Sequence, residues 1–127
     1  MTAPLFTVVV PVYNKAPHIL RCLDSIARQA FRNYEVIIVD DASTDGGTRL
    51  LSQFAERERC VLLKRSKPGP GGYAARNLAI KHARGEYIAF LDADDEWHPD
   101  HLSNIATAIG THVGAAIYCS AYEIVNQ

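Results

Sequence analysis

FTVVVPV, residues 6–12, is β-branched and almost wholly apolar. A strand with one wet face alternates apolar and polar side chains, so an unbroken apolar run predicts a strand covered on both faces, as in a parallel sheet flanked by helices. The pattern recurs outward from this stretch. Pro17 to Ala30 carries Ile19, Leu20, Leu23, Ile26, Ala27 and Ala30 at helical spacing, with proline suited to the first turn. Glu35 to Asp40 repeats the buried-strand pattern, and Leu50, Leu51, Phe54 and Ala55 predict a second helix after the polar turn Ser43 to Gly47. Cys60 to Lys64 is a third short strand. A glycine-rich loop, Pro68 to Gly72, leads to a third helix with Ala75, Leu78, Ala79, His82 and Ala83 on one face and Gly85 placed to end it. Tyr87 to Leu91 is the fourth strand. Pro99 then starts a helix whose inner stripe is Leu102, Ile105, Ala106 and Ile109, and Gly114 to Tyr118 is a candidate further strand.

Strands alternating with helices of this length imply βαβ units, and hence an α/β fold: an open, doubly wound, mostly parallel, Rossmann-like sheet. Ligands of such sheets sit outside the carboxyl ends of the strands, where strand order reverses. The polar residues at strand ends are therefore the candidate functional groups.

Composition narrows the classes. The 127 residues are 48% hydrophobic and 21% charged, the profile of an ordinary folded domain. A net charge of -1 and a pI near 6.5 argue against the broad basic face that nucleic acid requires. Lys64, Arg65 and Lys67 form a short basic cluster, read as a solvated loop. Cys22, Cys60 and Cys119 are odd in number and far apart, which fits a reducing compartment and neither a disulfide framework nor a zinc site. The N-terminus lacks a basic stretch followed by an apolar core, and no apolar run is long enough to span a bilayer. The expectation is a soluble cytoplasmic protein, peripheral at most to the inner face of a membrane.

Three strands end in unusual chemistry. The first runs into Pro11-Val12-Tyr13-Asn14-Lys15, the second into Asp40-Asp41, and the fourth into Asp92-Ala93-Asp94-Asp95. Tyr13 offers a flat face on which a base can stack, and Asp40 or Asp41 offers an acceptor for a ring N–H or a ribose hydroxyl. Ser43, Thr44 and Asp45 can serve the helix start, which leaves the two preceding aspartates without an evident structural task. In an extended segment Asp92 and Asp94 would point to one face. Crowded carboxylates either take up a proton or share a cation, and a hard divalent ion, Mg²⁺ or Mn²⁺, bridging to a diphosphate accounts for them economically. Gly69, Gly71 and Gly72 could either cradle a phosphate or form a plain surface loop, and Arg76 either meets phosphate or pairs with the acidic rim. His98 and His101 read as surface residues flanking a helix start more readily than as metal ligands.

TVVVPVYNKA, EVIIVDDASTDGG and AARNLAIKHARGEYIAFLDADDEWHPDHL, in that order from Thr7 to Leu102, resemble the N-terminal half of family 2 glycosyltransferases, inverting enzymes of the GT-A fold. The resemblance implies that Pro11, Tyr13 and Asp41 line a nucleoside pocket, usually for uridine, with Asp41 on the base. It puts Arg76 near the nucleotide diphosphate, Asp92 near the ribose and the metal's water shell, and Asp94 on the metal. The expected cofactor is Mn²⁺ or Mg²⁺ and the expected donor a UDP-sugar. The acceptor, a saccharide or lipid-linked saccharide, and the general base belong to the second half in such enzymes. Residues 1–127 are accordingly expected to be the donor-binding half, with no catalytic base before Gln127, inactive alone and prone to self-association through apolar surface that the other half would cover. The alternatives are a non-catalytic nucleotide-binding or interaction domain, and a Mg²⁺-dependent receiver domain. The latter places its acidic pair after the first strand, where this chain has Pro-Val-Tyr-Asn.

Overall fold

The computed structural model describes residues 3–58 and 60–124. Strands and helices alternate as β1 (Phe6–Val12), α1 (Ala16–Ala27), β2 (Tyr34–Asp40), α2 (Gly47–Glu58), β3 (Val61–Lys64), α3 (Tyr73–His82), β4 (Tyr87–Phe90) and α4 (His101–Thr111). The four strands form one parallel sheet in the order β3-β2-β1-β4. The chain steps outward from β1 to β3 and then returns to the other side of β1. Strand order therefore reverses between β1 and β4, and the carboxyl ends of these two strands flank the switch point where such sheets bind ligands.

Alternate side chains of β1 and β2 enter two separate cores. Phe6, Val8, Val10 and Ile38 pack with Ile19, Leu23 and Ile26 of α1, Leu51 and Phe54 of α2, and Leu102 of α4. Val9, Ile37 and Val39 pack on the opposite face against Ala75 and Ala79 of α3. Both faces of the central strands are thus covered, which is why they read as unbroken apolar runs.

Several boundaries differ from the sequence expectation. Helix α1 stops at Ala27, and Ala30 is exposed, because the buried Gln29 turns inward to join two elements. Its Nε2 donates to the carbonyls of Ser25 (3.2 Å) and His98 (2.6 Å), while its Oε1 accepts the Leu102 N–H (3.0 Å). Pro99 lies in the turn before α4 rather than in its first turn. On α3, Ala75 and Ala79 are buried, whereas His82 is exposed.

Gly85 does not cap α3. It lies three residues past His82 and lets the chain pass close to β1, where an added Cβ would stand 2.4 Å from the Thr7 nitrogen. Its own N–H donates to Thr7 Oγ1 (2.8 Å).

The strand expected over Gly114–Tyr118 does not form. Gly114 adopts φ +92, which turns the backbone out of the extended region, and Val113, Ile117, Tyr122 and Ile124 are exposed. Among the described residues, no helix is long and apolar enough to cross a membrane.

Candidate functional site

The loops leaving β1, β2 and β4 meet along the carboxyl rim of the sheet, tied to one another by side chains. Asn14, with φ 50, accepts the Thr44 N–H at its Oδ1 (2.7 Å) and donates its own N–H to Ser43 Oγ (3.1 Å). Asp45 accepts the N–H of Ala16 and that of Gly47, each at 2.9 Å, so one carboxylate serves the starts of both α1 and α2. These two N–H groups hold it below the usual carboxylate range. Between the loops, Tyr13 is 47% exposed and the Asp41 N–H donates to the Val12 carbonyl (2.8 Å), which sets Tyr13 and Asp41 beside each other. Pro11 is half-buried in β1, two residues before Tyr13.

Asp40 and Asp41, both buried, do have structural work, contrary to the sequence expectation. Asp40 accepts the Ser43 N–H (3.1 Å) and the Thr48 hydroxyl, closing the turn into α2. Ala42, which follows Asp41, lies at φ 63, a left-handed conformation that costs a non-glycine residue about 1–2 kcal/mol. Asp41 meets the guanidinium of Arg65 at Oδ1 and the Gly69 N–H at Oδ2 (3.0 Å). The glycine-rich loop therefore folds onto Asp41. Gly69 spends its N–H there and does not present it to a phosphate.

The acidic segment is a turn and not an extended strip: the Asp95 N–H donates to the Asp92 carbonyl (3.0 Å). This turn brings Asp95 in with Asp92 and Asp94, so that one carboxylate oxygen from each lies within 4.8 Å of the other two. Burial, then the charges of Asp94 and Asp92, raise the Asp95 pKa above the usual carboxylate range. Arg76 Nη2 stands 2.8 Å from Asp92 Oδ1, and Lys15 Nζ stands 3.5 Å from Asp94 Oδ2. Beneath the turn, the Cys22 thiol donates to the Asp92 carbonyl (3.5 Å), its pKa pushed up to about 12 by burial and by the Asp95, Asp92 and Asp94 charges. Three exposed, convergent hard oxygens suit Mg²⁺ or Mn²⁺, which keep part of their shell for water and phosphate. Beside the turn opens a cleft of about 1200 Å³ lined by Arg76, Asp92, Asp94, Asp95, Trp97 and Tyr122 among others.

The structure thus brings Tyr13, Asp41, Arg76, Asp92 and Asp94 to one rim. His98 and His101 stand apart from the carboxylate group: His98 pairs with Glu123 (3.1 Å), and His101 stacks on Trp97 with ring centroids 4.6 Å apart. Burial, then neighbouring His98, lower the His101 pKa. Three residues were missed as site members. Arg65 reads as solvated from the sequence, although its position directly after β3 places it on the rim. Lys15 follows the Tyr13-Asn14 pair, and Asp95 was set outside the metal pair because the segment was read as extended.

Comparison with known proteins shows the family and the fold. The family model described as glycosyl transferase family 2 matches residues 7–126. Amylovoran biosynthesis glycosyltransferase AmsB of Erwinia amylovora is 44% identical over 101 residues, covering 76% of this chain and 33% of AmsB. Among solved structures, S. aureus TarS 1–349 in complex with UDP-GlcNAc superposes with a TM-score of 0.77 at 34% identity, covering 88% of this chain and 32% of that one. The mannosyltransferase PcManGT of Pyrobaculum calidifontis, in complex with GDP-Man and Mn²⁺, does so with a TM-score of 0.77 at 36% identity over 86% and 33%. The chain spans about a third of the length of each.

Proposed function

Since this chain belongs to glycosyltransferase family 2, we propose that residues 1–127 form the donor-binding half of an inverting enzyme that transfers a sugar from a nucleotide-sugar, a UDP-sugar, to an acceptor hydroxyl. The observation that carries the reading is the convergence of Tyr13, Asp41, Arg76, Asp92 and Asp94 on one rim at the sheet's switch point. Tyr13 stacks on the base, Asp41 accepts its ring N–H, and Pro11 supports both. Arg76 and Lys15, which neutralise Asp92 and Asp94 in this structure, are at hand for the negative diphosphate.

Asp92, Asp94 and Asp95 would hold Mn²⁺ or Mg²⁺. When bound, the ion supplies Lewis-acid stabilisation of the departing nucleoside diphosphate. In the transfer, the acceptor oxygen forms its bond to the anomeric carbon as the bond to the diphosphate breaks, and a general base takes the hydroxyl proton. We assign that role to none of the described residues. The acceptor is a saccharide or lipid-linked saccharide of a cell-surface polysaccharide, a reading supported by the name of AmsB. We place the protein in the cytoplasm, peripheral at most to the inner face of the membrane. Exposed Val113, Ile117 and Tyr122 favour self-association of the isolated chain.

Calorimetric titration with UDP, with and without Mn²⁺, tests the proposal. Micromolar binding that strengthens with Mn²⁺ supports it, and no heat of binding in either condition overturns it.

A further inference from the structure

From the seat of Arg65 on Asp41 we infer that Arg65 is a nucleobase-reading residue, donating to a ring carbonyl beside the ring N–H that Asp41 accepts. The inference rests on the donor-site reading above and adds to it a residue that the reading does not include. Three observations carry it.

The first is position along the rim. Strand order β3-β2-β1-β4 sets the strand ends in the sequence Arg65, Asp41, Tyr13, Asp92. Neighbouring strands are ~4.8 Å apart, so the Arg65 end lies about 14 Å, three strand gaps, from the acidic turn. A cation there is too far to serve phosphates held at Asp92 and Asp94. It stands instead beyond Tyr13 and Asp41, at the base end of a nucleotide laid across the strand ends.

The second is that the seat is built. Asp41 is buried, and the Arg65 N–H is anchored by the Asp40 carbonyl (2.9 Å). An added Cβ on Gly69 would meet Arg65 Nη1 at 2.8 Å and Ala74 Cβ at 3.1 Å, so the absence of a side chain at Gly69 makes room for the guanidinium.

The third is unused bonding capacity. Each Asp41 oxygen has one donor in the structure and can accept a second. Arg65 gives Asp41 one nitrogen, Nη1, and its side chain is 28% exposed, so N–H groups of its fork remain for a ligand. Acceptor beside donor is the complement of the adjacent N–H and carbonyl on a uracil ring.

The experiment compares UDP with its 4-thio and 2-thio analogues, in which one ring carbonyl becomes a weak acceptor, by calorimetry in the presence of Mn²⁺. The wild-type chain should lose about five- to ten-fold in affinity for one of the two analogues. Arg65→Met should bind UDP about ten-fold more weakly and no longer distinguish the analogues from UDP. Gly69→Ala, which displaces the guanidinium without removing it, should behave similarly and serves if Arg65→Met does not fold. Wild-type UDP affinity in both variants would overturn the inference. So would weakened binding that keeps the full thio penalty, since Arg65 would then only be bracing the loop. Absence of UDP binding by the wild-type chain is a different failure: it overturns the donor-site reading and this inference with it.

Discussion

Arg76 near the start of α3 and Asp92 just after β4, both lining the cleft, form an ion pair of 2.8 Å. Their side chains are 34% and 51% exposed, so solvent screens the pair and it adds at most about 1 kcal/mol to stability. Arg76→Met should therefore leave the urea midpoint nearly unchanged while weakening Mn²⁺-dependent UDP binding about ten-fold. Asp92→Asn should abolish most of the Mn²⁺ enhancement at similar stability. Loss of folding in either variant, seen by circular dichroism, would make the pair structural instead.

Glu35 gives a pH dependence remote from the rim. Burial pushes its pKa up, but the Thr7 hydroxyl (2.6 Å), the Arg84 N–H (2.7 Å) and the Arg84 guanidinium (3.0 Å) outweigh it, and the net shift is downward. A carboxylate with a depressed folded-state pKa stabilises the fold above its unfolded value, and that contribution disappears as pH falls through the folded value. Glu35→Gln should cost about 1–2 kcal/mol at pH 7, with the difference from wild type vanishing below the carboxylate range. Urea unfolding at both pH values measures it, and an equal cost at both would refute the linkage.

Gly85→Ala should destabilise by more than about 2 kcal/mol, because the new methyl would press on the β1 backbone, which has no room to yield. Gly110→Ala makes the control: an added Cβ there meets nothing within 4 Å, and alanine is the better helix former by about 1 kcal/mol. Thermal melting of both variants should move in opposite directions.

The three cysteines should separate by reactivity. Cys22 is buried with its thiol pushed up to about 12, Cys60 is half-buried and pushed up to about 11 by burial, and Cys119 is exposed. At pH 8 a thiol reagent should modify Cys119 first and Cys22 only on unfolding, since the thiolate is the reactive form. Peptide mapping after brief labelling identifies the order, and early labelling of Cys22 would contradict the packing beneath the acidic turn.

How much of this was legible beforehand varies by element. β1 and β2 were readable within a residue because both faces are buried and their composition is dictated locally. The Rossmann-like order of elements followed from the same alternation. Tyr13, Asp41, Arg76, Asp92 and Asp94 were identifiable as strand-end or helix-start polar groups and by family resemblance. Gly114–Tyr118 misled because β-branched and aromatic residues signal a strand whether or not a neighbour exists to pair with. Gln29 ended α1 early for a reason located 73 residues away, at Leu102.

What the chain's order of residues determined alone was the parallel sheet and the set of carboxylates at its rim, since apolar periodicity and strand-end polarity are properties of short segments. Which of those carboxylates are already engaged was decided only by tertiary structure. Asp40 is committed to its own turn, Asp41 shares its charge with Arg65 from the next strand, and Asp95 joins Asp92 and Asp94 through a tight turn. The physical reason is that hydrogen bonds and ion pairs join groups by distance in space, and a loop's path fixes that distance while the spacing of its letters does not.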